Sequence, residues 1–396
     1  MPEITSQEFN FGDLVRLVSS PSAVVGNANT GSDIKAYLHT GSLSLDWEFV
    51  ERRHRGGYPS GRMVEIFGSE AVGKTTLITH AMVSAQQGKG VLIDWVEQEV
   101  NGRKMYLPKV SERKMKPGLA ILIDSECKFP LDRAQRIGLD VGQLVRIVDT
   151  EKKALTFEQC IERLEEVLNK IEGIPYFQSA EVPIVVVLDS LAQAPVEAEL
   201  EGNGLQDGIA TKARKIRMSM RRMVGQISRM NIFMLFTNHI YARIGTPGSE
   251  VSGGRGLKLA ASLRLGMKKA YPNGEMKTGE NQFGIVSTVD CAKSSYYTPP
   301  DEVRVPIRYL TGIDNDWELM EFFLDGKACV DALHKAGHRV ELVMPDGAKK
   351  SCWAAGLTEM LDSIPGSRDY LIQIFERTMR GEKGEKRKKG ATDSVE

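Results

Sequence analysis

Met63-Val64-Glu65-Ile66-Phe67-Gly68-Ser69-Glu70-Ala71-Val72-Gly73-Lys74-Thr75-Thr76 is the stretch on which the fold turns. A mostly apolar run enters a glycine-bounded loop, and the loop runs into a helix-like stretch, Lys74–Gln87. From Gly68 to Thr75 the residues fit GxxxxGK[ST], the phosphate-loop pattern. The chemistry needs these residue types at this spacing. Glycines let successive backbone N–H groups curl around a phosphate, and the partial positive charge of a helix N-terminus adds to them. Lys74 is placed to reach β- and γ-phosphate oxygens, and Thr75 offers a hydroxyl to Mg²⁺. Gly68, Ser69, Glu70, Ala71, Val72, Gly73, Lys74, Thr75 and Thr76 are therefore the candidate nucleotide-binding residues.

Outward from this loop, further apolar runs recur at Ala120–Ile123, Leu144–Val148, Ile184–Leu188 and Ile232–Phe236. They are rich in Val, Ile, Leu and Phe and lack polar alternation, as strands buried on both faces of a parallel sheet do. Between them lie helix-like stretches at Leu131–Gly138, Phe157–Ile171 and Ile209–Met230. This βα alternation predicts a doubly wound α/β domain. Asp94–Pro117 breaks the rhythm and reads as an inserted hairpin or excursion. Asn27–Asp33 reads as a loop, and Phe9–Val18 as a short helix. Beyond Asp325 the pattern is smaller and mixed, with a turn at Pro345-Asp346-Gly347 and a helix near Tyr370–Met379. Residues 381–396 are nearly free of apolar side chains and read as a disordered tail.

Two other strands end in acids. Pro183–Leu188 delivers Asp189, which at a strand's carboxyl edge can hold part of a Mg²⁺ shell. Ile121-Leu122-Ile123-Asp124-Ser125-Glu126 offers Glu126 to orient or deprotonate a water. A rival for that role is Glu97, in Val91–Glu97. We favour Glu126, because an amphipathic helix and another strand follow it directly.

Composition narrows the classes. The 396 residues suffice for about two to three domains, or one large core with additions; 41% are hydrophobic and 26% charged, ordinary for a globular chain. No stretch approaches the ~20 apolar residues of a membrane helix. The start Met1-Pro2-Glu3-Ile4 has no basic segment leading into an apolar run, which argues against a secretory signal. The 5 cysteines form no CxxC pair, so neither a disulfide framework nor a zinc site is expected, and a reducing cytoplasm is the expected setting. With 52 basic and 52 acidic residues the net charge is zero, so any nucleic-acid binding must come from local clusters.

One such cluster is Lys212-Ala213-Arg214-Lys215-Ile216-Arg217-Met218-Ser219-Met220-Arg221-Arg222, with six basic residues and no acid. Ile209, Ala213, Ile216, Met220, Met223 and Ile227 repeat at helical spacing, which predicts one buried face and an exposed basic one. Ile240–Gly256 holds Tyr241, Arg243 and Arg255 among glycines. Basic and aromatic side chains on loops suit a single strand, the charges tracking phosphates and the aromatic stacking on a base. His334 and His338 stand four apart and could share a helix face. They have no matching ligand pair nearby. Trp95, Trp317 and Trp353 read as packing or partner anchors.

These residues together resemble the RecA recombinase family over about residues 39–324. Thr40-Gly41-Ser42-Leu43-Ser44-Leu45-Asp46 resembles the opening of its core, and Gly61–Phe67 the strand into its phosphate loop. Ile123-Asp124-Ser125-Glu126 with Arg136-Ile137-Gly138-Leu139-Asp140 resembles the strand and helix around its catalytic Glu. Leu188-Asp189-Ser190-Leu191-Ala192 resembles its second nucleotide motif, and Thr237-Asn238-His239 its γ-phosphate sensor. Glu201–Gly208 resembles its first DNA loop, and Gly253-Gly254 with Leu257-Lys258 the end of its second.

The resemblance implies an α/β, RecA-type ATPase core with a mostly parallel sheet flanked by helices. It also implies ATP and Mg²⁺ as cofactors, single-stranded and then duplex DNA as partners, and self-association into a helical filament. The chain then divides into an N-terminal oligomerisation segment (1–38), the ATPase and DNA-binding core (39–324), a small C-terminal domain (325–380) and the tail (381–396). Mediator and single-strand-binding proteins are expected partners, and no membrane is. His239, where bacterial members carry Gln, resembles the phage UvsX branch, which places the chain in the cytoplasm of a bacterial host. The adenine-stacking position of bacterial members falls on Arg133, whose guanidinium plane can stack on a base. Lys293 falls where family lysines reach a neighbouring subunit's ATP; Cys291 occupies the companion position, so at most one lysine acts. Arg214, Arg243, Tyr241, Arg255 and Lys212 are the DNA candidates. Two rivals are a paralogue that binds DNA or a partner without exchanging strands, and a ring-forming helicase-type motor on the same core.

Overall fold

The computed structural model describes residues 34–382, except 49, 51–52, 126, 149–154, 191–194, 196–204, 243–248, 252–257, 273, 279 and 297–301. The expected helix Phe9–Val18, the loop Asn27–Asp33 and the tail beyond Glu382 lie outside the described residues. The strands are β1 (Ala36–Leu38), β2 (Tyr58–Pro59), β3 (Arg62–Gly68), β4 (Gly90–Val100), β5 (Arg103–Val110), β6 (Leu119–Asp124), β7 (Leu144–Ile147), β8 (Ile184–Asp189), β9 (Phe233–Ala242), β10 (Ser249–Val251), β11 (Leu263–Lys269), β12 (Glu275–Thr278), β13 (Asn281–Ser294), β14 (Val303–Arg308), β15 (Gly312–Ile313), β16 (Leu333–Ala336), β17 (Arg339–Val343) and β18 (Lys349–Cys352). The helices are α1 (Leu43–Glu48), α2 (Lys74–Gln86), α3 (Leu131–Ile137), α4 (Phe157–Glu172), α5 (Leu205–Arg229), α6 (Asn315–Leu324), α7 (Leu357–Asp362) and α8 (Ser367–Met379).

An 11-stranded sheet organises the molecule, in the order β15-β14-β13-β11-β3-β9-β8-β6-β7, with β10 on β9 and β12 on β13. From β11 to β7 every neighbouring pair is parallel, and beyond β11 the sheet continues antiparallel. Successive strand residues face opposite sides, and both sides are covered. Val64, Ile66, Leu122, Val185 and Leu235 face the layer of α2 and α3. Met63, Ile121, Val186, Met234 and Phe236 face the layer of α4 and α5, against Phe157, Leu164, Ile216 and Met220. Double coverage is why these strands read as unbroken apolar runs. α2 is buried almost all round, with Leu77, Ile78, Ala81 and Met82 at 0% exposure. Each large apolar side chain buried there contributes about 1.5–3 kcal/mol.

The excursion at 94–117 is a hairpin. β4 pairs antiparallel with β5 over Ile93–Val110, and its root joins β1 in a separate 4-stranded sheet. A third cluster gathers α6, α7, α8 and the β16-β17-β18 sheet, with Leu43 and Trp47 of α1. It spans both sides of residue 324. Pro345-Asp346-Gly347 turns between β17 and β18, and α8 covers the helix expected near Tyr370–Met379. His334 lies on β16 and His338 follows that strand, so the two share no helix face. Their spacing of four reads equally as helix or as hairpin, and the pairing of β16 with β17 decides it.

Candidate functional site

β3 delivers the phosphate loop at the carboxyl edge of the sheet. Lys74 opens α2 and is 8% exposed; its Nζ donates to the carbonyls of Gly68 at 3.0 Å and Ser69 at 2.6 Å. Gly73 adopts φ +95°, a left-handed conformation open to glycine without steric cost, and a Cβ there would stand 2.3 Å from Ile307 Cδ1. At Gly68 a Cβ would stand 2.3 Å from the Met267 carbonyl oxygen, so backbone packing also demands glycine. From the antiparallel side, Ser287 Oγ donates to the Val72 carbonyl at 2.7 Å and pins the loop.

Asp189 ends β8 beside this loop. Its Oδ2 accepts from Thr75 Oγ1 at 3.3 Å, and its Oδ1 accepts from the Thr237 hydroxyl. A hydroxyl beside a carboxylate is a set of hard oxygen donors that suits Mg²⁺, an ion held by one or two carboxylates together with substrate phosphates. His239, near the middle of β9, completes the edge. Residues 70–76, Asp189 and His239 line one cleft of about 450 Å³, with Asp124, Lys128, Phe129, Pro130, Arg133, Ile285, Ile307 and Tyr309.

Arg133 lines the cleft but is held in place. Its Nε donates to the Tyr309 carbonyl at 2.6 Å and its Nη2 to Thr76 Oγ1 at 2.9 Å. Burial lowers its pKa. Beside it, burial holds His80 near pKa 4, and its Nε2 accepts from the Ile313 amide at 2.9 Å. Glu126 lies outside the described residues. Nearby in sequence, buried Asp124 accepts from the amides of Lys128 and Phe129 at 3.2 Å each and from Arg146 Nη2 at 3.0 Å. Glu97 stands on the β4–β5 hairpin, exposed, with Lys104 Nζ at 2.7 Å. It is not among the residues that line the cleft.

Lys293 turns into its own chain. Its Nζ donates to the carbonyls of Lys258, Leu259 and Ala261 at 3.0, 3.2 and 2.6 Å. Burial lowers its pKa, helped by the nearby Arg264.

The basic helix differs from its reading in sequence. α5 begins at Leu205 and takes in the last residues of the expected first loop. Its buried stripe, Ile216, Met220, Met223 and Ile227, is as expected. Three of its cations, however, meet acids of α4: Lys215–Glu158 at 2.7 Å, Arg222–Glu165 at 2.7 Å and Arg229–Glu172 at 2.8 Å. One helix's sequence cannot show that its neighbour carries acids at the same seven-residue spacing. Arg214, Arg217 and Arg221 remain exposed and make no ion pair among the described residues. Lys212 lies within α5 and Tyr241 on β9, while Arg243 and Arg255 lie outside the described residues. β10 folds back on β9, pairing Glu250 with Tyr241, so part of the expected loop is hairpin.

Sequence reasoning missed Tyr309, Ile307, Ile285 and Phe129 as cleft residues. No motif signals them: Ile285 and Ile307 arrive on antiparallel strands and Tyr309 on the turn after them, far along the chain, while Phe129 lies in the connection between β6 and α3. It also missed Thr237 as a partner of Asp189, although the apolar run ahead of that threonine placed it at a strand's edge.

Fold and loop define an α/β phosphate-loop protein. The family model described as the RecA N-terminal domain matches residues 19–106 and 89–314. The RecA protein of Acholeplasma laidlawii is 30% identical over 292 residues, 73% of each chain. That of Porphyromonas gingivalis is 28% identical over 313 residues, 78% of this chain and 76% of the relative. The chain belongs to the RecA family.

Proposed function

We propose that this chain is an ATP-dependent DNA recombinase that assembles as a helical filament on single-stranded DNA and then pairs it with duplex DNA. The observation that carries this reading is one cleft in which the phosphate loop, Asp189 and His239 meet, on a strand that leads into residues 240–256. Lys74 neutralises phosphate charge, Thr75 and Asp189 hold Mg²⁺, Glu126 orients the attacking water and His239 senses the γ-phosphate. Arg133 with Tyr309 borders the base. Lys293 leaves its carbonyl cage to reach a neighbouring subunit's nucleotide. Arg214, Lys212, Tyr241, Arg243 and Arg255 face the DNA. ATP supplies the binding energy that orders the DNA-facing segments, and its hydrolysis releases them. Residues 1–38 join neighbouring subunits, 39–324 form the core, 325–380 a small C-terminal domain, and 381–396 a tail. The sensor histidine supports a UvsX-type, phage-borne member acting in a bacterial cytoplasm with mediator and single-strand-binding proteins. No helix among the described residues is long and apolar enough to cross a membrane.

A strand-exchange assay tests the activity, and electron microscopy with ATP and single-stranded DNA tests the assembly. Helical filaments are expected; closed rings would point instead to a helicase-type motor. The sensor has its own test, the affinity for a single strand with a non-hydrolysable ATP analogue and with ADP at one fixed salt concentration. His239→Ala is expected to keep much of its nucleotide affinity and lose the ATP-dependent gain, a coupling of about 1–3 kcal/mol. A variant that keeps the full ratio would make His239 a structural histidine.

A further inference from the structure

Three central strands, β11, β3 and β9, each place one polar residue on the sheet face that packs against α4 and α5. These are Arg264, Glu65 and Asn238. Glu65 and Asn238 are 0% exposed and the Arg264 side chain 11%. Glu65 Oε2 pairs with Arg264 Nε, its register partner across β11 and β3. Glu65 Oε1 accepts from Asn238 Nδ2 at 2.9 Å, and Asn238 Oδ1 accepts from the His239 amide at 3.0 Å. The Arg264 guanidinium lies 4.8 Å from the centre of the Phe67 ring. A buried ion pair is weak as a source of stability, because desolvation offsets its attraction, so its placement calls for another reason.

That reason lies in direction. A carboxylate only accepts hydrogen bonds, whereas an asparagine amide both donates and accepts. Glu65 therefore draws the NH₂ of Asn238 to itself and leaves the Asn238 oxygen for the His239 amide. The reverse orientation would set oxygen against oxygen at one end and donor against donor at the other. The same carboxylate holds Arg264, on the strand by which the chain returns from residues 243–257. Arg264 stands opposite Lys293, whose Nζ grips the carbonyls just ahead of that strand. Departure and return of this stretch thus meet at one buried charge.

We propose that Glu65 is a positioning residue. It sets Asn238 and hence the main chain of His239, and through Arg264 it anchors the return strand, so that the nucleotide cleft and residues 243–257 report on one another. This rests on the functional reading above. The test uses the full chain with a labelled oligothymidylate, a non-hydrolysable ATP analogue or ADP, and fixed salt. Glu65→Gln can donate as well as accept, which frees the Asn238 amide to turn. Asn238→Ala removes the relay and leaves the ion pair whole. Both are expected to lower the ATP-to-ADP ratio of single-strand affinity by at least about fivefold. The double variant should fall no further than Glu65→Gln alone, because Asn238 acts only through the bond that Glu65 directs. If Glu65→Gln fails to fold, Asn238→Ala carries the test alone. Folded variants that keep the wild-type ratio overturn the positioning role and leave the function standing. A wild-type chain with no ATP-dependent gain overturns the function, and this inference with it.

Discussion

Lys74 spends its donors on loop carbonyls, within reach of the space a phosphate would occupy. Lys74→Ala is expected to cut ATP hydrolysis by about 100-fold or more, as removal of one preorganised charge stabiliser does. Steady-state ATPase with single-stranded DNA measures it, and wild-type turnover would sink the phosphate-loop reading. The carboxylate that handles water can be decided between two candidates. Asp124, Lys128 and Phe129, which precede and follow Glu126 in sequence, line the cleft, whereas Glu97 stands exposed on a hairpin, paired with Lys104. Glu126→Gln is expected to bind ATP, hydrolyse it slowly and leave long-lived DNA complexes, while Glu97→Gln behaves as wild type. The opposite pattern, read by ATPase rate and DNA dissociation, would assign the role to the hairpin.

At the scale of elements, α5 carries two kinds of cation. Lys215, Arg222 and Arg229 form a ladder with α4, and Arg214, Arg217 and Arg221 face outward. A phosphate contact releases counterions, so its loss lowers the salt slope of binding, whereas a surface pair already neutralised has little to give. Arg214→Ala is therefore expected to weaken single-strand binding and to reduce the slope of log affinity against log salt by about 1. Arg222→Ala should leave that slope unchanged and cost at most about 1 kcal/mol of stability. Titrations at several salt concentrations and urea melts separate the two. Equal slopes for both variants would remove Arg214 from the DNA face.

At the scale of the molecule, Glu318 of α6 joins the C-terminal cluster to the core. Fully buried, it accepts from Ser42 Oγ at 2.9 Å and from the amides of Leu43 and Ser44 at 3.2 and 2.7 Å. Burial pushes its pKa up to about 7, against the pull of those hydrogen bonds. The native state thus holds this proton more tightly than the unfolded chain, so this contribution is present at low pH and is lost as pH rises from about 4.5 to 7. Buried His39 and His80, both lowered to about 4, act with the opposite sign. The readout is therefore the difference between wild type and Glu318→Gln in urea melts across that range. Wild type should lose stability relative to the variant, by at most about 1.4 kcal/mol per pH unit; a constant difference would show that Glu318 stays ionised. What the sequence determined by itself was local. Gly68–Thr75 carries the phosphate-loop pattern within eight consecutive residues, and strands buried on both faces must read as apolar runs, so the core and half of the cleft were legible. The other half was not. Tyr309 and Ile307 arrive on β14 and the turn after it, the acids of α4 neutralise three cations of α5, and Glu65, Asn238 and Arg264 stand some 26 to 199 residues apart in sequence. Only pairing of β11, β3 and β9 brings those three within hydrogen-bonding distance. That step belongs to tertiary structure because sheet order is set by how buried surfaces are shared among strands, and nothing in one strand's own composition states which strand lies beside it.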